Sequence, residues 1–251
     1  MIKIILTGCS GQMGRVLTEM IAQEPDMQVV AGIDVAEDPR IPYPVYSSLA
    51  DCREEADVVI DFSVAAAVDD LLQACVGREL PLVLCTTGLS DAQVERVKKA
   101  SATIPVLRSA NMSIGVNLLM KLVQDAARAL APVGFDIEIV EQHHRRKLDA
   151  PSGTALALGE RVNEALGGEY SFVFDRSGRH EKRRPDEIGI SAVRGGSIVG
   201  EHDVIFAGED EVITIRHSAY SRAIFAKGAL TAARFLAGAH AGLYSMQDVL
   251  A

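Results

Sequence analysis

Apolar residues in the first hundred positions fall into short runs, which alternate with longer segments whose apolar residues recur at helical spacing. The short runs are almost wholly apolar and rich in β-branched residues, as expected of strands that are covered on both faces. This alternation of strand and helix predicts a parallel sheet with helices on both sides. The predicted strands span Ile2–Thr7, Gln28–Ile33, Asp57–Phe62, Leu82–Cys85 and Ile104–Leu107.

The pattern changes after Asn111. Residues 114–131 have the spacing of a long amphipathic helix, and residues 135–143 alternate apolar and polar side chains as a strand does. More strands follow within residues 187–219, where short glycine-containing turns suit antiparallel neighbours. One long helix is available to cover this second sheet, and residues 222–238 return to a helical pattern.

These patterns predict an α/β protein that contains a Rossmann-like, parallel-sheet dinucleotide domain and an inserted α+β domain with a mixed sheet. The dinucleotide domain is expected to comprise residues 1–112 and 222–251, with the final helix packing back on it. The inserted domain is expected over residues 113–221.

Composition narrows the class of protein. The chain has 251 residues and a formal net charge of −9, so it lacks the basic excess typical of nucleic-acid binders. Its four cysteines form no CxxC pair, which argues against a metal site or a disulfide framework and favours the reducing cytoplasm. The sequence opens directly on a strand pattern instead of a signal peptide, and it contains no apolar run of about 18 residues that would span a membrane.

A glycine-rich turn follows the first predicted strand. Gly8, Gly11 and Gly14 are spaced as GxxGxxG at the start of the first helix, where glycines permit a tight turn and close approach of a pyrophosphate to backbone N–H groups. Alone, this spacing fits a plain strand-to-helix turn equally well. The second strand ends at Asp34, whose carboxylate can bind an adenosine ribose or can simply be a solvated strand end. The turn and Asp34 together favour a nicotinamide dinucleotide.

Asp34 also bears on the choice between NADH and NADPH. Its carboxylate would repel a 2′-phosphate, and the next residue, Val35, offers no positive charge. NADH is therefore favoured, although Arg40 on the following loop leaves NADPH open. Two later loops, "CTTGLS" and "SANMS", follow the fourth and fifth strands at the edge where open α/β sheets bind ligands. Their polar residues suit a nicotinamide ribose, but such residues can equally be helix caps.

The stretch "HHRRKLDAPSGTA" gathers basic side chains ahead of a helix that starts near Ala155. Ser152 or Asp149 can cap that helix, and Gly153 with Thr154 presents backbone N–H groups at its positive end. Such a terminus with basic neighbours suits a carboxylate, and two basic groups suit a dicarboxylate. The alternative is that the charged run is only a solvated face.

The stretch from Glu138 to Ala155, "EIVEQHHRRKLDAPSGTA", resembles the signature of the dihydrodipicolinate (4-hydroxy-tetrahydrodipicolinate) reductase family. The likeness extends along the chain through "GCSGQMGR", "TTG", "NMSIGVN", "IVGEH" and "SRAIFAKGAL". It implies a cytoplasmic enzyme of lysine and diaminopimelate biosynthesis that reduces its substrate with NADH or NADPH. It also implies a homotetramer assembled through the sheet of the inserted domain, which would bind the substrate.

The resemblance also implies roles for individual residues. His143 would donate or accept the proton, and Lys147 would be a second donor that also holds substrate. His144, Gly153 and Thr154 would bind the dicarboxylate. The residues that would hold the cofactor are Gly8, Cys9, Ser10, Gly11, Gln12, Met13, Asp34, Cys85, Thr86, Thr87, Ser109, Ala110, Asn111 and Met112.

The implied chemistry is loss of water to give a conjugated imine, hydride transfer to carbon 4 of that system, and protonation by an imidazolium near neutral pH. The sequence departs from the family at three positions: Cys85 replaces a common Gly, Arg146 a frequent His, and Val35 an Arg found in NADPH-using members. Two alternatives are another nicotinamide dehydrogenase with an inserted domain and a dinucleotide-sensing regulator. The first gives no reason for the Pro-Ser-Gly-Thr step behind two histidines. The second predicts a basic recognition helix or no acid–base pair, and the sequence shows the opposite.

Overall fold

A computed structural model describes residues 1–36, 38–109 and 111–250. The strands are β1 Ile2–Thr7, β2 Met27–Ile33, β3 Val45–Tyr46, β4 Val58–Asp61, β5 Leu82–Leu84, β6 Pro105–Arg108, β7 Asp136–His143, β8 Ser171–Val173, β9 Glu187–Arg194, β10 Gly200–Ala207, β11 Val212–Ala219 and β12 Gly242–Tyr244. The α-helices are α1 Gln12–Ile21, α2 Val68–Gly77, α3 Asp91–Ser101, α4 Ile114–Leu130, α5 Gly153–Ala165, α6 Ala223–Leu236 and α7 Met246–Val249. Short 3-10 helices span Ala65–Ala67 and Ala131–Val133.

The chain divides into two compact units. The first contains Met1–Ile114 and Ala223–Ala251, and the second contains Gly115–Arg222. None of the described residues belongs to a helix that is long and apolar enough to cross a membrane.

The first unit is built on a seven-stranded sheet in the order β12-β6-β5-β4-β1-β2-β3, in which all paired strands are parallel. Alternate residues of one strand enter different cores. Ile4 packs in the cluster that includes α1 and α6, whereas Ile5 packs in the cluster that includes α2 and α3. Burial on both faces explains the unbroken apolar runs, and the predicted parallel sheet is confirmed. The short strands β3 and β12 were not predicted.

The second unit is built on a five-stranded mixed sheet in the order β11-β10-β7-β9-β8. Strand β7 lies between a parallel partner, β9, and an antiparallel partner, β10. The predicted antiparallel pairing holds for β10 and β11 and is wrong for β9 and β10, because β7 occupies the place between them. A short connection after β9 therefore crosses the end of β7 and does not form a hairpin.

Strand β7 alternates strictly between half-buried and buried side chains. Ile137 and Ile139 face a core to which both α4 and α5 contribute, so two helices cover this face where the sequence predicted one. The same inward face continues to Glu141 and His143, because side chains two residues apart point to the same side of a strand. The strand thus carries two titratable groups from an apolar core to its carboxyl end.

Candidate functional site

The glycine turn of the first unit has no room for a side chain at two of its positions, Gly8 and Gly14. Gly8 has φ +73°, and a Cβ there would stand 2.4 Å from the carbonyl oxygen of Phe62. A Cβ on Gly14 would stand 2.4 Å from the carbonyl oxygens of both Gly8 and Cys9. The glycines therefore bring the N-terminus of α1 against the ends of β1 and β4. A helix N-terminus at this edge is a ready-made anion site.

Asp34 follows β2 and lies beside this turn. Its Oδ2 accepts a hydrogen bond from the backbone N–H of Ser10 at 2.9 Å, and its Oδ1 accepts one from that of Ala36 at 3.0 Å. The half-buried carboxylate lines a cavity of about 380 Å³ together with Gly8 and Gly11. Because a carboxylate offers about four acceptor positions, Asp34 retains capacity for a ligand.

The same cavity is lined by residues that the sequence did not single out, among them Ser47 to Ala50 and Ser63. The turn after β4 is held by Asp61, which accepts hydrogen bonds from the Thr7 hydroxyl and from the backbone N–H of Ser63. Asp61 is fully buried at the end of β4, whose sequence is "VVID". A charged residue at the end of an apolar strand is the sequence feature from which this role could have been predicted.

Two arginines near Asp34 share one carboxylate. Arg40 Nε and Nη2 both donate to Asp38 at 2.8 Å, and Arg15 Nε lies 3.2 Å from Asp38 Oδ2. The hydrogen bonds from Arg40 lower the pKa of Asp38 to about 2, so this carboxylate is ionised at any working pH. One of the two positive charges that could meet a phosphate is therefore neutralised within the protein.

The other predicted cofactor residues lie at the carboxyl edge of the same sheet but outside this cavity. Cys85 to Thr87 follow β5, and the Thr86 hydroxyl is buried without a hydrogen-bond partner among the described residues. Asn111 Oδ1 accepts the backbone N–H of Ser113 at 2.8 Å, which forms a side-chain-to-backbone turn directly ahead of α4. Ser109 and Met112 follow β6 in the same loop, and Ala110 lies outside the described residues.

Glu141 is the centre of the site in the second unit. Its carboxylate is fully buried and accepts two charged hydrogen bonds from Arg194, at 2.6 and 2.7 Å. It also contacts His143 Nδ1 at 2.6 Å and accepts the backbone N–H of Ser152 at 2.9 Å. Burial opposes ionisation, but the hydrogen bonds from Arg194, His143 and Ser152 outweigh it and lower the pKa of Glu141. Glu141 is thus a buried, fully coordinated anion.

His143 is held at the end of β7 with its Nδ1 against Glu141. Burial lowers the pKa of His143 below its ordinary value, and the hydrogen bond and charge of Glu141 offset this only in part. This shift favours the neutral imidazole over the imidazolium. On the other side of the ring, Gly200 leaves room, since a Cβ there would stand 3.1 Å from Nε2.

The predicted anion site lies at the start of α5. Ser152 caps the helix by accepting the backbone N–H of Ala155 at 3.1 Å, so the cap is Ser152 and not Asp149. Gly153 is exposed, and no described atom lies within 4 Å of where its Cβ would be. Asp149 instead pairs with Lys147, Nζ to Oδ1, at 2.9 Å.

The remaining predicted substrate residues belong to this same chain segment. Thr154 occupies the first turn of α5, and His144 follows β7 directly. The Nδ1 of His144 is buried without a hydrogen-bond partner among the described residues. The structure therefore brings His143, Lys147, His144, Gly153 and Thr154 into one short loop and helix start.

The sequence assigned no role to two further histidines: His202 lies beside His143, and His217 lies across from His202. His202 in β10 pairs in register with Glu141 in β7 and with His217 in β11. The rings of His143 and His202 are 5.2 Å apart, edge to face, and His202 Nε2 lies 3.0 Å from the Ser152 hydroxyl. Burial, with a contribution from His143, lowers the pKa of His202 to about 4. In the sequence, the only signal was that His202 precedes Val204 and Phe206 at alternate positions.

Comparison with known proteins covers both units. Family models described as "Dihydrodipicolinate reductase, N-terminus" and "Dihydrodipicolinate reductase, C-terminus" match residues 2–112 and 115–250. The 4-hydroxy-tetrahydrodipicolinate reductase of Caldanaerobacter subterraneus is 52% identical over 250 residues, which cover 100% of this chain and 98% of that protein. The enzyme of the same name from Clostridium novyi is 46% identical, with the same coverage.

Solved structures agree on the fold. Dipicolinate-bound dihydrodipicolinate reductase from Paenisporosarcina sp. TG-14 superimposes with a TM-score of 0.83 at 24% identity, covering 98% of this chain and 97% of that one. A probable dehydrogenase from Thermotoga maritima has a TM-score of 0.59 at 14% identity, covering 98% of this chain and 92% of that one. These similarities support the α/β fold with a parallel dinucleotide-type sheet and a second, mixed sheet.

Proposed function

This chain belongs to the dihydrodipicolinate reductase family, and we propose that it reduces 4-hydroxy-tetrahydrodipicolinate with NAD(P)H, with loss of water, to tetrahydrodipicolinate. It is an oxidoreductase of the reduction step in lysine and diaminopimelate biosynthesis. The observation that carries the proposed chemistry is the buried Glu141–His143 pair, which a hydrogen bond through Ser152 joins to the N-terminus of α5.

The first unit has the features that a nicotinamide dinucleotide requires. The glycine turn admits no side chain at Gly8 or Gly14, which suits the close approach of a pyrophosphate to the backbone, and Asp34 has acceptor capacity for the ribose. The loops at Cys85 to Thr87 and at Ser109 to Met112 complete the proposed binding edge. When bound, NAD(P)H supplies the hydride.

We favour NADH over NADPH for three reasons. Asp34 would repel a 2′-phosphate, and Val35 is 93% exposed and carries no charge. In addition, Arg15 and Arg40 are both paired with Asp38, which neutralises one of their two positive charges. The preference is a matter of degree, because a phosphate could compete with Asp38 for the two guanidinium groups.

The second unit is proposed to bind the substrate's carboxylates. Gly153 and Thr154 begin α5, whose positive end favours an anion, and His144 has a buried, unpartnered Nδ1 nearby in the chain. Lys147, with its side chain 21% exposed, adds an ammonium group that is now paired with Asp149. A dicarboxylate would replace Asp149, whose side chain is 58% exposed, as the partner of Lys147.

His143 is proposed to handle the proton that accompanies reduction. Burial lowers its pKa, which favours the neutral imidazole before substrate arrives. Two negative charges beside it would raise that pKa, since a nearby opposite charge favours the protonated form. Binding of the substrate would thus favour protonation of His143. The protonated His143 would then donate its proton to the reduced ring, while the ammonium group of Lys147 offsets the negative charge of the carboxylates.

Oxidation of NADH at 340 nm, started with freshly made 4-hydroxy-tetrahydrodipicolinate, tests the activity. We expect absorbance to fall with both substrates present and to remain constant when either is omitted, and comparison with NADPH gives the cofactor preference. Absence of substrate-dependent oxidation with both cofactors would refute the proposal.

Assembly and location are also part of this proposal. The core of the second unit lies on the inner face of its sheet, whereas Val193 on the outer face is 45% exposed, so a symmetric copy is a natural cover. We propose a homotetramer, to be checked by light scattering against a chain mass of 26.9 kDa. All four cysteines are free, which is consistent with the proposed cytoplasmic location.

A further inference from the structure

We propose that Glu141 is a positioning residue that fixes the tautomer of His143 and thereby selects Nε2 as the atom that exchanges the proton with substrate. This inference rests on the proposed function for its catalytic consequence, but the tautomer itself can be measured without turnover. The proposal is supported by four contacts of Glu141, by the surroundings of Nε2 and by the hydrogen bonds that link Glu141 through Ser152 to the start of α5.

The contacts of Glu141 leave one consistent arrangement of hydrogen atoms. Arg194 and the Ser152 backbone can only donate, so Glu141 is an ionised acceptor on both oxygens. His143 Nδ1 lies 2.6 Å from Oε2 of this anion and must therefore carry a hydrogen. In the neutral imidazole the other nitrogen, Nε2, is then the lone-pair site. The buried carboxylate thus decides which nitrogen is basic.

The surroundings of the ring agree with this assignment. Nδ1 contacts Glu141, whereas Nε2 is on the side of Gly200, where a Cβ would stand 3.1 Å from it and a larger residue would press on the ring. The other charged or titratable groups around the ring are Lys147 after β7, Arg194 in β9 and His202 in β10, with His217 beyond His202 in β11. Lys147 and Arg194 oppose protonation of His143, and Glu141 favours it.

The same carboxylate connects His143 to the proposed anion site. Glu141 Oε1 accepts the backbone N–H of Ser152, and the Ser152 side chain caps the helix on which Gly153 and Thr154 lie. One buried anion therefore sets both the ring orientation and the start of α5. A change at Glu141 should alter proton transfer and substrate binding together, while leaving the dinucleotide site of the other unit unaffected.

The direct test is the tautomer of His143 in the unaltered protein. Nitrogen-15 spectra of histidine-labelled protein distinguish Nδ1–H from Nε2–H imidazole, and the variant H143N identifies the signal of this residue. We expect the Nδ1–H form above the pKa of His143. A majority Nε2–H form would overturn the proposal, whether or not the protein turns over substrate.

The variant E141Q supplies the second test. The glutamine oxygen must face the Ser152 N–H, which leaves its amide N–H₂ facing His143 and should convert the ring to the Nε2–H form. We expect kcat to fall about tenfold or more, as part of the 10²–10⁴ that a positioned acid or base provides. The limb of the pH profile due to His143 should move to lower pH, because Glu141 raises the pKa of His143.

E138Q is the matched control, since Glu138 lies on the same strand, faces the opposite side and pairs with Arg176 and Arg183. It removes the same charge without touching His143, so its pH profile should match that of the unaltered protein. Folded E141Q with an unchanged tautomer and pH profile would overturn the proposal. If E141Q does not fold, the tautomer of the unaltered protein decides. If the unaltered protein shows no NADH-dependent turnover, the proposed function is refuted, but the proposal about the tautomer is not.

Discussion

Asp34 and Glu141 are both carboxylates at the carboxyl end of a strand, yet their surroundings differ in every respect. Asp34 is half-buried, accepts two backbone N–H groups and faces a cavity. Glu141 is fully buried and receives four hydrogen bonds, two of them from a guanidinium group. The first has unused acceptor positions and the second has none. A carboxylate with unoccupied acceptor positions can accept hydrogen bonds from a ligand, whereas one whose positions are all occupied can only orient the protein groups that it already binds.

This difference assigns separate tasks to the two units. Changes near Asp34 should alter the affinity for the dinucleotide and leave the pH dependence of turnover unchanged. Changes near Glu141 should alter turnover and its pH dependence and leave dinucleotide affinity unchanged. The predictions below test this separation.

The largest effect is expected from H143N. The asparagine amide can occupy the place of Nδ1 and keep the contact with Glu141, but it has no counterpart of Nε2. We therefore expect kcat to fall by about 10²–10⁴, the contribution of a positioned acid or base, with little change in the dissociation constant of NADH. The control is H240N, at an exposed histidine of the first unit. Turnover of H143N within a few-fold of that of the control would remove His143 from the chemistry.

The sequence predicted the site of the first unit more completely than that of the second. Gly8, Gly14 and Asp34 belong to one βαβ unit, so local spacing placed them at one edge of a parallel sheet. The network around Glu141 includes two residues that are distant in the sequence. Arg194 lies 53 residues further along the chain, and His202 lies opposite Glu141 on the neighbouring strand β10. Strand order decides such neighbours, and the predicted adjacency of β9 and β10 was wrong.

The next effect is expected from D34A, which should weaken NADH binding without changing the pH profile of kcat. Loss of a charged acceptor of about 1.5–3 kcal/mol corresponds to about a 10–100-fold rise in the dissociation constant. The control D26A removes an aspartate at the other end of β2, where Asp26 pairs with Arg234. Equal NADH affinities for D34A and D26A, measured by fluorescence titration, would contradict the role of Asp34.

The buried histidines should make the second unit sensitive to acid. The unfolded chain binds a proton at His202 with the ordinary pKa of 6.5, and the folded chain does so with a pKa of about 4. Between these values the unfolded state binds more protons, so stability decreases as the pH falls from 6.5 towards 4. From pH 7.5 to pH 5, this residue should cost about 2 kcal/mol of the free energy of unfolding.

H202Q tests this expectation, because the glutamine can keep the hydrogen bond to Ser152 without titrating. Urea unfolding at the two pH values should show a loss in the unaltered protein that exceeds the loss in H202Q by that amount. The exposed His240 gives the reference variant H240Q, which should behave as the unaltered protein does. Identical pH dependence in all three proteins would mean that folding does not shift the pKa of His202.

The smallest effect is expected from D38N, in the chain between β2 and β3. Asp38 now balances Arg15 and Arg40, and its low pKa keeps it charged throughout the working range. Removing that charge should leave two guanidinium groups available to a 2′-phosphate, whose recognition by arginine is the usual basis of NADPH binding. A charged hydrogen bond at an exposed position is screened, so we expect the ratio of NADPH to NADH affinity to rise only about three- to tenfold.

The measurement for D38N is the pair of dissociation constants at low and high salt, with D69N as the control, since Asp69 pairs with Arg96 between α2 and α3. The gain for NADPH should shrink at high salt because the added attraction is electrostatic. NADH affinity and the pH profile of kcat should stay as they are, since Asp34 and the Glu141 network are unchanged. An equal effect on both cofactors would show that Asp38 shapes the loop and does not set the charge at the 2′ position.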